Sequence, residues 1–307
     1  MALTSYDSTV NQKPSVLDAI LLQGATSTPF LKWFGKGAKI SAPKHSWILD
    51  NYRKAGANAN VEITDIDEDT KDTKYMEDNV VQIIKNEFGL SLEENDDAKY
   101  GKNEWAYRVG KVGKEHAMDI EYALLGLNND AVEDDYTEGS DTTPAKMAGI
   151  FHYVKNNADY ADSNGNPTPY TYDRLNEQIE KIWNNADIDN ESFMLVCGTG
   201  LKRTINGFAS DYFRWYQNPN GKFDPTLYVI TTDFGDIKVK IHRLFNTPKL
   251  QNYLLAGQLS SADIRFKIPT RFTEPPTSKT AKFGRYYTSL TLEVKEPNMF
   301  SWVKGVK

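Results

Sequence analysis

Two fragments of the sequence carry residue types that belong to phosphoryl transfer. Asp233-Phe234-Gly235 is the triplet whose aspartate holds magnesium in protein kinases, and His242-Arg243 matches the opening of their catalytic loop. Order and chemistry both argue against that use. In a kinase the His-Arg-Asp loop precedes Asp-Phe-Gly; here it follows, and its third residue is Leu244, which accepts no proton. No Gly-rich strand loop and no Val-Ala-Ile-Lys strand lies upstream. Local chemistry explains the stretch better. Ile237, Val239 and Ile241 alternate with Lys238, Lys240 and His242, the period of a half-buried strand. Residues 226–232 form another, so Asp233 to Asp236 is the expected turn, with Gly235 free to take positive φ.

Other candidate sites fail on spacing. Gly35-Lys36-Gly37 has neither the earlier glycine nor the following Lys-Ser/Thr of a phosphate loop. Gly198-Thr199-Gly200 follows a strand, but the third glycine of a dinucleotide fingerprint falls on Arg203; a strand-to-helix turn capped by Thr199 is expected instead. Asp65, Asp67 and Asp69 alternate like calcium ligands, yet Thr70 and Met76 stand where that loop needs Gly and Glu. Asp187, Asp189 and Glu191 fail in the same way, and both runs are expected to be solvated acidic faces. His116 has no Cys or second His at metal spacing and is expected to be a satisfied core or interface residue. No catalytic, cofactor or metal residue is expected.

The chain that must position these residues has 307 of them, a net charge of -6 and one cysteine, Cys197. The core needs no disulfide, and none forms within the chain. An acidic balance excludes a dedicated duplex-DNA reader, which needs a basic stripe. The N-terminal residues lack the charged-then-apolar order of a signal peptide, and no apolar run approaches a membrane span.

Residues 1–14 read as an extended arm and 16–22 as a short apolar helix stopped by Gly24. Thr28 is the expected N-cap of a turn with Pro29 at its first position, followed by Phe30, Leu31, Trp33 and Phe34. Strands at 45–50 and 76–91 flank a polar tract, 51–74, too long for a tight turn and too poor in apolar residues for a core. That combination predicts an arm projecting from the body. Trp105, Val109, Val112, His116, Ile120, Leu124 and Leu127 form the stripe of a helix over 102–127, with Gly110 and Gly113 marking close approach of a neighbouring backbone. An acidic loop carries Glu133, Asp134, Asp135, Glu138 and Asp141. A second helix over 172–184 presents Leu175, Ile179, Ile182 and Trp183; a buried strand at 192–198 leads into a helix over 199–213. The remainder is β-rich, with strands at 226–232, 237–245, 263–268 and 286–294.

Several landmarks occur in a fixed order. They are Thr28-Pro29-Phe30 with the Gly35-Lys36-Gly37 stop, His45-Ser46-Trp47, "AGANANVE" at 55–62, and "GKEHAMDIEYALLG" at 113–126. The Asp233-Phe234-Gly235 hairpin leading to 243–245, and "RFTEPPTSKTAKFGRYYTSLTLEVKEPNMF" at 271–300, complete the set. In this order the chain resembles the major capsid (major head) protein of tailed bacteriophages, which has the Hong Kong ninety-seven type fold. The resemblance implies an α+β subunit with an N-terminal arm at 1–34 and an extended loop at 35–92 lying on a neighbour. It implies a peripheral domain at 93–143 containing the spine helix 102–127, an axial domain at 144–219, and a β-rich hairpin at 220–307 returning to the peripheral domain. It implies a structural protein of the virion, not an enzyme, without cofactors or membrane contact, assembled in the host cytoplasm. Its copies would join as hexamers and pentamers into an icosahedral shell around DNA contacted non-specifically. Partners would be a separate scaffold protein, a portal and decoration proteins. Some relatives crosslink a loop lysine to a neighbour; Lys54, Lys71 and Lys74 match by position alone, and no crosslink is expected. The alternatives are a cellular encapsulin-like shell of the same fold, and a metal-dependent ligand-binding or enzymatic domain using the acidic loops.

Overall fold

The computed structural model describes residues 27–306 except 53–54, 58, 60, 63–72, 98–102, 129–130, 133–135, 155, 189–191, 209–212 and 218–222. The expected arm at 1–14, the helix at 16–22 and the Asp65, Asp67, Asp69 run lie outside the described residues. In chain order the elements are α1 (Phe30–Trp33), β1 (Gly35–Lys36), β2 (Lys44–Leu49), β3 (Tyr75–Val80), β4 (Gln82–Ser91), α2 (Leu92–Asp96) and α3 (Glu104–Leu125). Then come β5 (Leu127–Asn128), β6 (Ala131–Val132), α4 (Ile150–Tyr153), β7 (Asn156–Asp159), α5 (Tyr172–Trp183), β8 (Phe193–Cys197) and α6 (Thr199–Asn206). The last are β9 (Phe213–Gln217), β10 (Phe223–Thr232), β11 (Gly235–Ile241), β12 (Leu254–Gln258), β13 (Ala262–Thr273), β14 (Ala281–Val294) and β15 (Phe300–Lys304).

One sheet has four strands in the order β1-β13-β14-β4 and carries α3 on β4 and β14. The other has seven, in the order β7-β15-β12-β8-β11-β10-β9. Its central β8 has Phe193, Leu195, Val196 and Cys197 fully buried, because neighbouring strands and covering helices close both faces. α5 contributes Leu175, Ile179 and Ile182, and α6 contributes Leu201 and Ile205. Trp183, expected on the α5 stripe, instead lies 53% exposed, one residue beyond the buried face, against Phe234 at 5.7 Å between ring centroids.

α3 starts where Asn103 Oδ1 accepts the Ala106 amide at 3.0 Å and ends at Gly126, whose φ of 68° closes the helix. Only its second half is buried, at His116, Ile120, Glu121, Leu124 and Leu125; Trp105, Val109 and Val112 are half-buried. The first half lies on a thin aromatic layer, with Trp105 beside Phe88 at 5.1 Å and Phe272 at 6.4 Å. Of the two helical glycines, Gly113 faces a side chain, not a backbone: Tyr286 Oη donates to Val109 O at 3.1 Å, and a Cβ at 113 would lie 3.0 Å from that hydroxyl. Gly110 faces nothing within 4 Å.

Three more expectations change. Within 35–92, β1 and β4 are strands of the four-stranded sheet, β4 pairing with β14 from Leu290↔Gln82 to Ala281↔Ser91; only β2 and β3 stand apart as a two-stranded hairpin. The helix expected over 199–213 stops at Asn206, before Gly207, and strand β9 follows. The C-terminal strands divide. β13 and β14 join the four-stranded sheet, but β10, β11, β12 and β15 join the seven-stranded one. A turn at Pro297–Met299 redirects the chain after β14, and burial of Phe300 and Val303 completes the larger sheet's apolar face.

Candidate functional site

The Asp-Phe-Gly stretch is a hairpin. Thr232 pairs with Gly235 across the two-residue loop Asp233-Phe234, and Gly235 opens β11 with a φ of 116°. Thr232 Oγ1 accepts the Phe234 amide at 3.3 Å and donates to Gly235 O at 2.8 Å. Asp233 accepts from Asn176 Nδ2 at 3.2 Å, which ties the turn to α5. Ile237 and Val239 are buried as the alternation predicts. The pattern then inverts: Ile241 is 46% exposed while His242 is 1% exposed. The strand has ended, and the chain coils into a 3-10 turn at Arg243–Asn246 that swings the imidazole inward.

His242 meets Glu121 of α3, a residue the sequence reading overlooked. His242 Nδ1 accepts the Leu244 amide at 3.2 Å, so the proton sits on Nε2, which donates to Glu121 Oε1 at 2.9 Å. The same carboxylate accepts the Phe30 amide at 2.7 Å and the Leu31 amide at 2.9 Å. The expected Thr28 cap is therefore replaced. Pro29 occupies the cap position, no side chain there bonds, and Glu121 caps α1 from 91 residues away. The only sequence signal for it was position: Glu121 falls three residues before Leu124, inside the arc of the apolar stripe.

The β2–β3 hairpin is fastened at its root and bare beyond it. Trp47 Nε1 donates to Val294 O at 3.0 Å. His45 Nε2 lies 2.8 Å from Glu293, which Arg265 also binds; burial raises that carboxyl, but the Arg265 and His45 bonds outweigh it and hold it below the usual range. Fully buried Asn79 accepts the Ala148 amide at 2.9 Å and donates to Ala148 O at 3.0 Å and Leu292 O at 2.8 Å. Lys44 sits 2.8 Å from both Asp78 and Glu138, and these bonds raise its pKa while lowering that of Asp78. Further out, on the face that Lys44 and Asp78 share and opposite Trp47, Ile48 pairs across the strands with Met76, and the two are 69% and 67% exposed.

His116 is 1% exposed, with Nδ1 2.5 Å from Asn86 Oδ1 and Nε2 2.7 Å from Thr288 Oγ1, joining α3 to β4 and β14. Burial pushes its pKa down, against the pull of Asp119. Cys197 is buried, and that burial raises its thiol to about 12. Gly35 and Gly37 let the chain pass against Asp263 and Arg265 beside β13. Gly198, not Thr199, caps α6, and Asn246 Oδ1 accepts the Thr199 amide at 3.0 Å. Asp187 is exposed, whereas Asp189 and Glu191 lie outside the described residues. Among the described residues no group of three His, Cys, Asp or Glu could hold a metal ion.

This architecture is found in solved shells. The chain superposes on the capsid of a native GTA particle with a TM-score of 0.68 at 11% identity, each chain covered in full at 100%. It superposes on the capsid of Myoviridae phage XM1 with a TM-score of 0.59 at 13% identity, covering 95% of this chain and 97% of that one. An encapsulin from Synechococcus elongatus PCC 7942 gives a TM-score of 0.62 at 9% identity, covering 100% and 97%. Such identities show the fold alone, which is of the Hong Kong ninety-seven type. No curated protein matches the sequence. The profile of the SU10 major capsid protein family matches residues 3–307, and on that ground the chain belongs to this family of structural, non-enzymatic subunits that form the icosahedral head shell of a phage.

Proposed function

We propose that the shell is built by loaning the β2–β3 hairpin to a neighbouring copy. In this reading the four-stranded sheet and α3 form the peripheral domain, the seven-stranded sheet forms the axial domain, and copies join as hexamers and pentamers. The observation that carries it is the Ile48–Met76 pair, two apolar side chains side by side and left in water by their own chain. A two-stranded ribbon cannot bury all of its own surface, so this bare outer pair gains from a partner surface. A separate scaffold protein, a portal and decoration proteins complete the proposed partners. DNA is contacted non-specifically, and a net charge of -6 suits an inner wall that must release it.

The test replaces Ile48 and Met76 together by Asp. The subunit should melt as the parent does and give no closed shells by electron microscopy. Normal shells from the double variant, under conditions in which the parent forms them, would overturn the proposal.

A further inference from the structure

We infer that Glu121 and His242 form a lock that fixes where the N-terminal arm leaves the body. This rests on reading the chain before Phe30, part of the N-terminal arm expected at 1–34, as a segment used in assembly. Downstream of α1 the path is held by backbone pairing: β1 runs parallel to β13, Gly37 N donates to Ile264 O at 3.1 Å, and Ile40 N donates to Phe266 O at 3.1 Å. Upstream there is no such pairing among the described residues. α1 has four residues, too few to hold itself, and its first amides have no partner within the helix. Glu121 takes two of them, one on each carboxylate oxygen.

The carboxylate is 1% exposed, its third donor is the neutral His242 ring, and among the described residues no Lys or Arg pairs with it. His242 is itself held. The Leu244 amide sets its tautomer, and its ring lies 4.9 Å from Phe30 and 5.3 Å from Phe245. Peeling the arm away would strip a buried carboxylate of two of its three donors, the costly way to break a hydrogen-bonded group. The lock therefore joins the arm, the long helix and the end of β11 into one unit, with His242 as a positioning residue for Glu121.

Glu121→Gln keeps the shape but turns an amide donor toward one of the two backbone donors. Hydrogen exchange of the peptide carrying Phe30 and Leu31, in unassembled subunits, should accelerate about tenfold or more. Exchange at Leu195 and Val196 should stay parental, and the yield of closed shells should fall. His242→Phe, which keeps the ring and loses the donor, should shift the same readouts less, and His242→Gln, which regains a donor, should recover part of the loss. Parental exchange at Phe30 and Leu31 in Glu121→Gln would overturn the lock. Fast exchange there with parental shell yield would overturn its role in assembly. If Leu195 and Val196 lose protection in Glu121→Gln, His242→Phe decides by the same two readouts, and parental values there overturn the lock. Failure of the parent to form shells would strike the arm reading and leave the exchange result standing.

Discussion

The β10–β11 hairpin and the β2–β3 hairpin are both antiparallel ribbons, but their own chain covers them differently. β10–β11 buries Ile230, Ile237 and Val239, is flanked by β9 and β8, and rests its turn on α5 through Asn176 and Asp233. β2–β3 buries Trp47 and Val80 at its root and leaves Ile48 and Met76 in solvent. The first hairpin is finished within the subunit, so its side chains should count toward folding. The second is fastened by polar bonds and left open, so its outer side chains should count toward association. The same alternation of residue types thus serves stability in one place and assembly in another.

The sharpest way to break this contrast is a matched pair of truncations. Ile237→Ala should destabilise the unassembled subunit by about 2–5 kcal/mol, the usual cost of emptying a well-packed site. Ile48→Ala should change it by less than about 0.5 kcal/mol, as expected of an exposed position. Equal losses in chemical denaturation would mean that the two hairpins are not distinct in kind. Next in size is the fastening itself. Asn79→Ala leaves three backbone groups of Ala148 and Leu292 without their bonds and should cost about 2–3 kcal/mol, measured in the same way.

A smaller effect comes from acid. His116 holds α3 to the sheet from which the open hairpin springs, and burial depresses its pKa below 6.5. A depressed base favours the neutral form when folded, so its contribution is present above pH 6.5 and is lost as pH falls from there toward the folded pKa. Asp119, joined to it through Asn86, opposes the shift without reversing it. Stability measured from about pH 7 to about pH 5 should fall more steeply in the parent than in His116→Gln. Parallel curves would remove the imidazole from the account. The smallest effect is expected at the finished turn. Asp233→Asn should move stability by less than about 0.5 kcal/mol, because Asn suits the turn and still offers an oxygen to Asn176. ATP hydrolysis that is present in the parent and lost in this variant would restore the phosphotransfer reading.

Much of this was legible before any coordinates. The period-two run from Ile237 to Val239, the helix between Asn103 and Gly126, and the turn at Asp233-Phe234-Gly235 all follow from local spacing. The ordered landmarks carried the family, because a whole series of weak signals in one order is specific where each alone is not. What spacing could not supply is partnership at a distance. Periodicity records which face of an element is apolar; it does not record which other element will meet that face. Nothing local tells that Glu121 caps a helix 91 residues earlier, that His242 turns inward while Ile241 turns out, or that β15 leaves the neighbours of β14 for the larger sheet. Those choices were made by tertiary packing, where a buried amide or carboxylate must find a partner and the nearest one in space is remote in sequence.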